Sequence, residues 1–352
     1  MQIGRADRSQ GDLALHTNHA STSTAEATAT KRRRRGVSIE LTTVEPQGGR
    51  KAALPRPAGT VPTRLNWPFV VGIGGIHLLA LFAFVPYCFS WTGLALAIAG
   101  LYVYGTLGIN LCFHRLLTHQ GLETPKWLEH LFATLGVCCL QGTPARWVAT
   151  HRVHHQYSDE QPDPHSPLVD PTWGHVGWLL VGNRDIDNLN TFEHYARDIL
   201  RDRYYLSYER RQLWLWVYAA HAAAYFVAGL LIGGLATQTV AGAVQMAVSL
   251  FVWGVAVRTV LVWHITWSVN SLTHMWGYRN YVTTDDSRNN WFVALISNGE
   301  GWHNNHHAEP RAASHGHRWW EFDVTWLTIR ALSAVGLARQ VVAPRSWKTP
   351  AA

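Results

Sequence analysis

The stretch WTGLALAIAGLYVYGTLGINLCFHRLLTH, residues 91–119, joins the two signals that decide the fold. From Trp91 to Cys112 it is apolar and long enough to cross a bilayer as a helix. It then runs into His114 and His119, so a histidine pair stands at the end of a membrane span. Three more clusters share this character: His151, His154 and His155; Asn270 and His274; and His303, His306 and His307. Nine of the twenty histidines fall in these clusters, which points to a polynuclear metal enzyme working beside a membrane.

Three other stretches reach spanning length, at about residues 67–90, 213–235 and 241–263. With 91–112 they make four spans, and the short connections Pro86 to Trp91 and Thr237 to Thr239 predict two hairpins. The expected class is an all-α multipass membrane protein with a helical cap on one side. Residues 1–66 are rich in Ser, Thr, Ala, Gly and Pro and carry the run Lys31 to Arg35, which reads as a disordered basic tail held in the cytoplasm. Each hairpin returns the chain to its starting side, so the central loop and the C-terminal segment are expected to be cytoplasmic too. All four clusters then lie on one face, inside a membrane domain of residues 67–340 followed by a C-terminal tail, 341–352.

Local signals refine this picture. Leu128 to Leu140 is apolar but short, predicting a re-entrant or surface-lying helix. Thr143-Pro144 is a helix start, with Thr as cap and Pro in the first turn, and it places His151 to His155 on a cytoplasmic helix. Pro310 ends the helix of His303 to His307. Arg258 lies near the end of its span and is expected to snorkel to the interface.

Residues three and four apart on a helix share a face, so each histidine triplet can aim its nitrogens at one point. Asn270 and His274 are likewise four apart. His114 and His119 are five apart and diverge on an ideal α-helix, so one of them is expected at a helix end or a local distortion. A tetrahedral site needs four protein ligands, and nine imidazoles therefore suggest two metals, without naming the element. Isolated His77 and His221 read as hydrogen-bonded packing residues, His264 is ambiguous, and His16 and His19 belong to the tail.

Composition narrows the class. Hydrophobic residues make up 47% of the chain and Trp occurs 18 times, which with the apolar runs favours a membrane protein. The +7 formal charge does not interleave with a stacking platform, so attraction to a membrane surface explains it better than nucleic-acid binding. Cys88, Cys112, Cys138 and Cys139 form no Cys-x-x-Cys pair and are expected to be free thiols.

The chain resembles the membrane fatty acid desaturases of the delta-9, acyl-CoA and acyl-lipid type over roughly residues 65–340. The resemblance is carried by His114-Arg-Leu-Leu-Thr-His119, His151-Arg-Val-His-His155, Asp163-Pro-His-Ser-Pro167, Asn270 to His274, Gly277 to Asn280, Gly299-Glu-Gly-Trp-His-Asn-Asn-His-His307 and Gly316 to Asp323. It implies two non-haem irons that activate dioxygen in a cytosolic cap over four membrane helices. His114, His119, His151, His155 and His306 would hold one iron. His154, His274, His303 and His307 would hold the other, with Asn270 contacting it through water. His165, His315 and His317 belong to the flanking pattern and are not expected ligands.

By the same comparison Gln141, Trp147 and Thr266 would line the bend of an acyl tunnel, and Asp159, Asp163, Asp286 and Glu300 would accept hydrogen bonds from ligand histidines. The reaction implied removes two hydrogens from adjacent methylenes with dioxygen and two electrons. No haem or four-cysteine cluster motif is present, so the electrons are expected from an external donor such as ferredoxin or cytochrome b5. After His119 the chain reads Gln120-Gly121-Leu122 where many relatives carry Arg-Ser and an aromatic residue, which leaves acyl-CoA, acyl-carrier-protein and acyl-lipid substrates open. The bacterial inner membrane, with both termini cytoplasmic, is the location implied. A membrane hydroxylase or ketolase with a similar di-iron site is the rival enzyme reading, and a metal transporter the rival of another class.

Overall fold

The computed structural model describes residues 53–185 and 189–347, so the run Lys31 to Arg35 and residues 348–352 lie outside the described residues. Within them the protein is mostly helical, with one two-stranded sheet. Four helices are long and apolar enough to cross a membrane: Trp67–Phe84, Trp91–Thr118, Leu213–Thr237 and Val240–Leu272. They are called the first to fourth spans below.

Two spans run further than hydropathy alone indicates. The second starts at Ser90, whose hydroxyl accepts from the Gly93 amide, and continues through both polar and apolar residues to Thr118. The fourth continues past Trp263 to Leu272. In both cases the polar end of the helix carries site residues, and packing inside the protein replaces the lipid contact that an apolar window detects. The first span is shorter than its apolar stretch because its last turn, Leu81–Phe84, is 3₁₀ and the chain leaves the helix at the extended residue Val85, before a separate 3₁₀ turn at Pro86–Cys88. None of the helical residues Trp67–Ala80 is buried, an outward apolar surface suited to lipid.

Small residues bring helices together. A Cβ on Gly229 would lie 2.4 Å from Ala247 Cα, and one on Gly233 2.4 Å from the Gly242 carbonyl, so the third and fourth spans meet backbone to backbone. A Cβ on Gly108 would lie 2.3 Å from the Gly136 amide nitrogen. That contact presses the helix Lys126–Val137 against the second span. At 12 residues this helix is too short to cross the bilayer, as expected from its sequence.

Beyond the span ends, the structure departs from the sequence reading in the placement of Thr60–Leu65, Val342 and Arg258. Thr60–Leu65, assigned by composition to the tail, is a strand paired antiparallel with Val181–Asn183, because it finds a partner distant in sequence. Val342, assigned to the C-terminal tail, bonds to Gly121 and Ala313. Arg258 does not snorkel: it is 0% exposed and donates to the Gly254 and Cys138 carbonyls, approaches His221 Nε2 at 3.1 Å, and lies over the Tyr104 ring. Interior acceptors within the protein, which no window of sequence reveals, satisfy it there. The four cysteines are free and buried.

Candidate functional site

Four segments carry the clustered histidines to one place. The second span from Leu101 to Thr118 is a π-helix, and the His119 amide bonds to the His114 carbonyl five residues back. This wider winding, with His119 at the helix end, turns a five-residue spacing into neighbouring rings whose centroids are 4.8 Å apart. Thr143 caps the helix Pro144–Tyr157 by accepting from the Arg146 amide, and that helix presents His151, His154 and His155. His274 follows the fourth span by two residues, its amide bonded to the Ser271 carbonyl. His303–Ala308 is a single short helix carrying the last three rings.

The nine rings form two groups. One nitrogen from each of His114, His119, His151, His155 and His306 lies within 4.8 Å of the others, and the same holds for His154, His274, His303 and His307. Within the first group, Nε2 to Nε2 separations are 3.1 Å for His114–His306, 3.1 Å for His151–His155 and 2.9 Å for His155–His306. In the second, His274 and His303 are 3.0 Å apart.

Such convergence fits a metal. Two nitrogens at about 2.1 Å from a shared ion and at right angles to one another stand about 3 Å apart. The Nε2 atoms of His119, His154 and His307 are buried with no hydrogen-bond partner, which is costly unless something else fills their lone pairs. Four rings present Nε2 as a lone pair because Nδ1 donates its proton to a carboxylate. These pairs are His114 to Glu300 (2.5 Å), His154 to Asp163 (3.0 Å), His274 to Asp159 (2.8 Å) and His307 to Asp285 (2.7 Å).

Electrostatics agree. Burial, reinforced by neighbouring imidazoles, pushes His119, His151, His155, His303 and His306 well below the usual histidine range, so they are neutral donors at pH 7. His274 goes the other way: against burial, Asp159 raises it to about 9. Asp159 and Asp285 are in turn held below the usual carboxylate range, since His274 and His307 outweigh the upward push of burial. In the second group His274 is pushed up, but at His307 burial outweighs the pull of Asp285, and His303 goes down with the first group.

Asp159, Asp163 and Glu300 stand where the sequence placed them, and Asp285 joins them beside the expected Asp286. The Asp286 backbone amide donates to Asp159, and Asp285 takes His307. Two adjacent aspartates look alike in sequence, and only the turn decides which one meets His307. Arg115 was missed altogether. It is 1% exposed, binds Glu300 and Asp323 together, and so ties the first cluster to the last. Its place inside an apolar span beside a histidine was the available signal. His165 and His315 pack on His154 and His306, and His317 bonds Tyr281.

Beside the groups lies a cavity lined by His114, His151 and His303 and by Asn270, with Phe69, Ile73, Ile109, Trp178 and Trp263 supplying apolar wall. Gln141, Trp147 and Thr266 also line it and form one hydrogen-bonded row. Trp147 Nε1 donates to Gln141 Oε1 (3.1 Å), Gln141 Nε2 to Thr266 Oγ1 (2.9 Å), and Thr266 to the Val262 carbonyl (3.0 Å). Of the isolated histidines, His77 donates Nδ1–H to the Ile73 carbonyl and meets His264, which meets His175; His221 meets Arg258.

Comparisons with known proteins accord with this arrangement. The fatty acid desaturase family matches residues 89–339. A protein of Anabaena variabilis named sn-1 stearoyl-lipid 9-desaturase is 40% identical over 284 residues, covering 81% of this chain and 96% of the relative. The Acyl-CoA C20 Delta5-desaturase of Anemone leveillei is 42% identical over 275 residues, 78% of this chain and 81% of its own. The chloroplastic palmitoyl-monogalactosyldiacylglycerol delta-7 desaturase of Arabidopsis thaliana is 41% identical over 280 residues, 80% and 70% of the two chains. This chain belongs to the fatty acid desaturase family and is a membrane-associated oxidoreductase of lipid metabolism.

Proposed function

We propose that the protein carries out oxygen-dependent desaturation of a saturated fatty acyl chain, with delta-9 as the position, at a pair of non-haem irons. His114, His119, His151, His155 and His306 would hold one iron, and His154, His274, His303 and His307 the other, with Asn270 reaching the latter through water. The observation that carries this reading is the convergence of nine imidazoles into two groups, from which His114, His151 and His303 line an apolar cavity.

The bound irons would supply the oxidant needed for an unactivated C–H bond, using dioxygen, two electrons and two protons to yield the alkene and two waters. The chain's own residues do the rest. Asp159, Asp163, Asp285 and Glu300 keep protons on Nδ1 and leave the opposite nitrogens free. Gln141, Trp147 and Thr266 form a rigid wall against which a chain can bend, so that two neighbouring methylenes face the histidine groups. Apolar side chains such as Ile109 and Trp263 keep the reacting segment dry.

Both hairpins return to the cytoplasmic side, which puts the histidine cap beneath the membrane surface of a bacterial inner membrane, open to a soluble one-electron donor such as ferredoxin or cytochrome b5. Relatives named for lipid-linked and CoA-linked acyl groups support either carrier, and their 5-, 7- and 9-positions bracket the regiochemistry. The test is expression with ferredoxin and its reductase, followed by gas chromatography and mass spectrometry with double-bond localisation. Monounsaturated acids with a double bond at carbon 9, absent from His154→Ala, are expected. Hydroxylated acids, or no new product from an iron-loaded enzyme with a working donor, would overturn the reading.

A further inference from the structure

The two histidine groups differ in the charge behind them. In the four-membered group three rings each donate to their own buried carboxylate: His154 to Asp163, His274 to Asp159 and His307 to Asp285. In the five-membered group only the His114 ring has such a partner among the described residues, and Arg115 already binds the other oxygen of that Glu300. Asp159, Asp163 and Asp285 are 3%, 0% and 6% exposed, so water screens them little. Among the described residues none of the three pairs with a lysine or arginine side chain, although Arg279 binds the Asp285 backbone carbonyl.

We propose that Asp159, Asp163 and Asp285 make the metal position of His154, His274, His303 and His307 the harder of the two to reduce, so that the five-histidine position takes the first electron. The inference rests on the di-iron reading above. Each reduction turns one ferric ion ferrous with one electron from a one-electron carrier, and no bond or proton need change. Negative charge in a low-dielectric interior stabilises the more positive ion, which is the ferric one. A carboxylate on the far nitrogen also makes its imidazole a stronger donor, which acts in the same direction.

Asp159 offers the cleanest test because its bonds survive loss of charge. Oδ2 accepts from His274 Nδ1 and the Asp286 amide, while Oδ1 accepts from the Ser166 hydroxyl. In Asp159→Asn the amide oxygen keeps the first two bonds, and the NH₂ faces a hydroxyl that can reverse. Asp159 acts through His274 and is a positioning residue.

The experiment loads the full-length enzyme with ⁵⁷Fe in detergent, poises it at graded potentials with dithionite and mediators, and counts ferrous and ferric iron by Mössbauer spectroscopy. Two irons per chain, reduced in two separate one-electron steps, are expected. Asp159→Asn should raise the lower step by roughly tenfold or more in the ferrous-to-ferric ratio, about 59 mV per decade, and leave the upper step in place. His119→Ala, which removes a ligand from the five-membered group, should lose the iron that is reduced first. A lower step that stays put in Asp159→Asn, or loss of the later-reduced iron in His119→Ala, overturns the inference. Fewer than two irons in the parent would instead overturn the di-iron reading beneath it.

Discussion

Arg115 is the residue whose loss should cost most outside the histidines. All of its donors are engaged: Nη1 to the Ala313 carbonyl and Asp323 Oδ2, Nη2 to Asp323 Oδ1 and Glu300 Oε1, and Nε to Glu300 Oε1. Its side chain is 1% exposed, as is that of Asp323, and Glu300 is 6% exposed. Removing one partner of a buried ion pair costs about 3–5 kcal/mol, because the charge left behind is uncompensated. Here two carboxylates are left, so Arg115→Ala belongs at the upper end, about 5 kcal/mol. Arg115→Lys restores the charge but not the planar fork and should recover only part of it. At about 2.1 cal/mol/K of unfolding entropy per residue, a chain of 352 residues moves about 1.4 °C in Tm per kcal/mol, so the alanine variant should lose roughly 7 °C. The assay is thermal unfolding in detergent followed by tryptophan fluorescence. Asp198→Asn is the internal control: its pair with Arg152 has side chains 22% and 38% exposed, so its loss should cost below about 1 kcal/mol. If Arg115→Ala and Asp198→Asn shift Tm equally, the buried triad is not what joins the first cluster to the last.

Three further outcomes are expected. His154→Ala and His307→Ala should each abolish product while leaving membrane insertion unchanged, since each removes one imidazole outside the spans; product detected by mass spectrometry from either variant would contradict the grouping. Gln141→Leu breaks the row from Trp147 to Thr266 and leaves the indole N–H without its acceptor, while Thr266 keeps its bond to the Val262 carbonyl, so double-bond placement should become mixed and turnover should fall roughly tenfold or more. Gly105→Leu should shift the products towards shorter acyl chains in competition assays. A second cavity between the second and fourth spans shares Ile109 and Thr266 with the first and ends at Leu101, Gly105 and Val262, and a Cβ on Gly105 would already touch Val262 at 3.4 Å.

Much of the site was legible because its chemistry is written in local spacing. The i, i+3, i+4 histidines need only a helix to converge, and Thr143-Pro144 supplied its start. The five-residue gap from His114 to His119 was legible as an irregularity, and the π-helix is the form it takes. What could not be read were contacts chosen by distant partners. Nothing near Arg258 in sequence announces the Cys138 carbonyl, and nothing near Thr60–Leu65 announces Val181–Asn183. The choice of Asp285 over Asp286 rests on a turn in which the Asp285 carboxylate also accepts from the Ser287 amide and the Thr283 hydroxyl. An amphipathic period can be seen in one segment, but a hydrogen bond across more than a hundred residues cannot.

The buried charges explain how nine rings from four segments stay together. Imidazoles stripped of water gain little from one another, so convergence has to be imposed from behind. Arg115 binds Glu300 and Asp323, fixing the second span against the segment that leads into His303 and against the cap of the helix Val324–Ala334, because Asp323 also accepts from the Trp326 amide. Asp159 joins His274, Ser166 and the Asp286 amide, and so fixes the end of the fourth span against the loop after His155. Replacing such groups by well-packed apolar residues could raise stability, since desolvation offsets most of their attraction. It would also release the rings. Such groups therefore act more on the orientation of Nε2 atoms than on folding free energy, and the same carboxylates that orient the rings put unequal charge behind the two histidine groups.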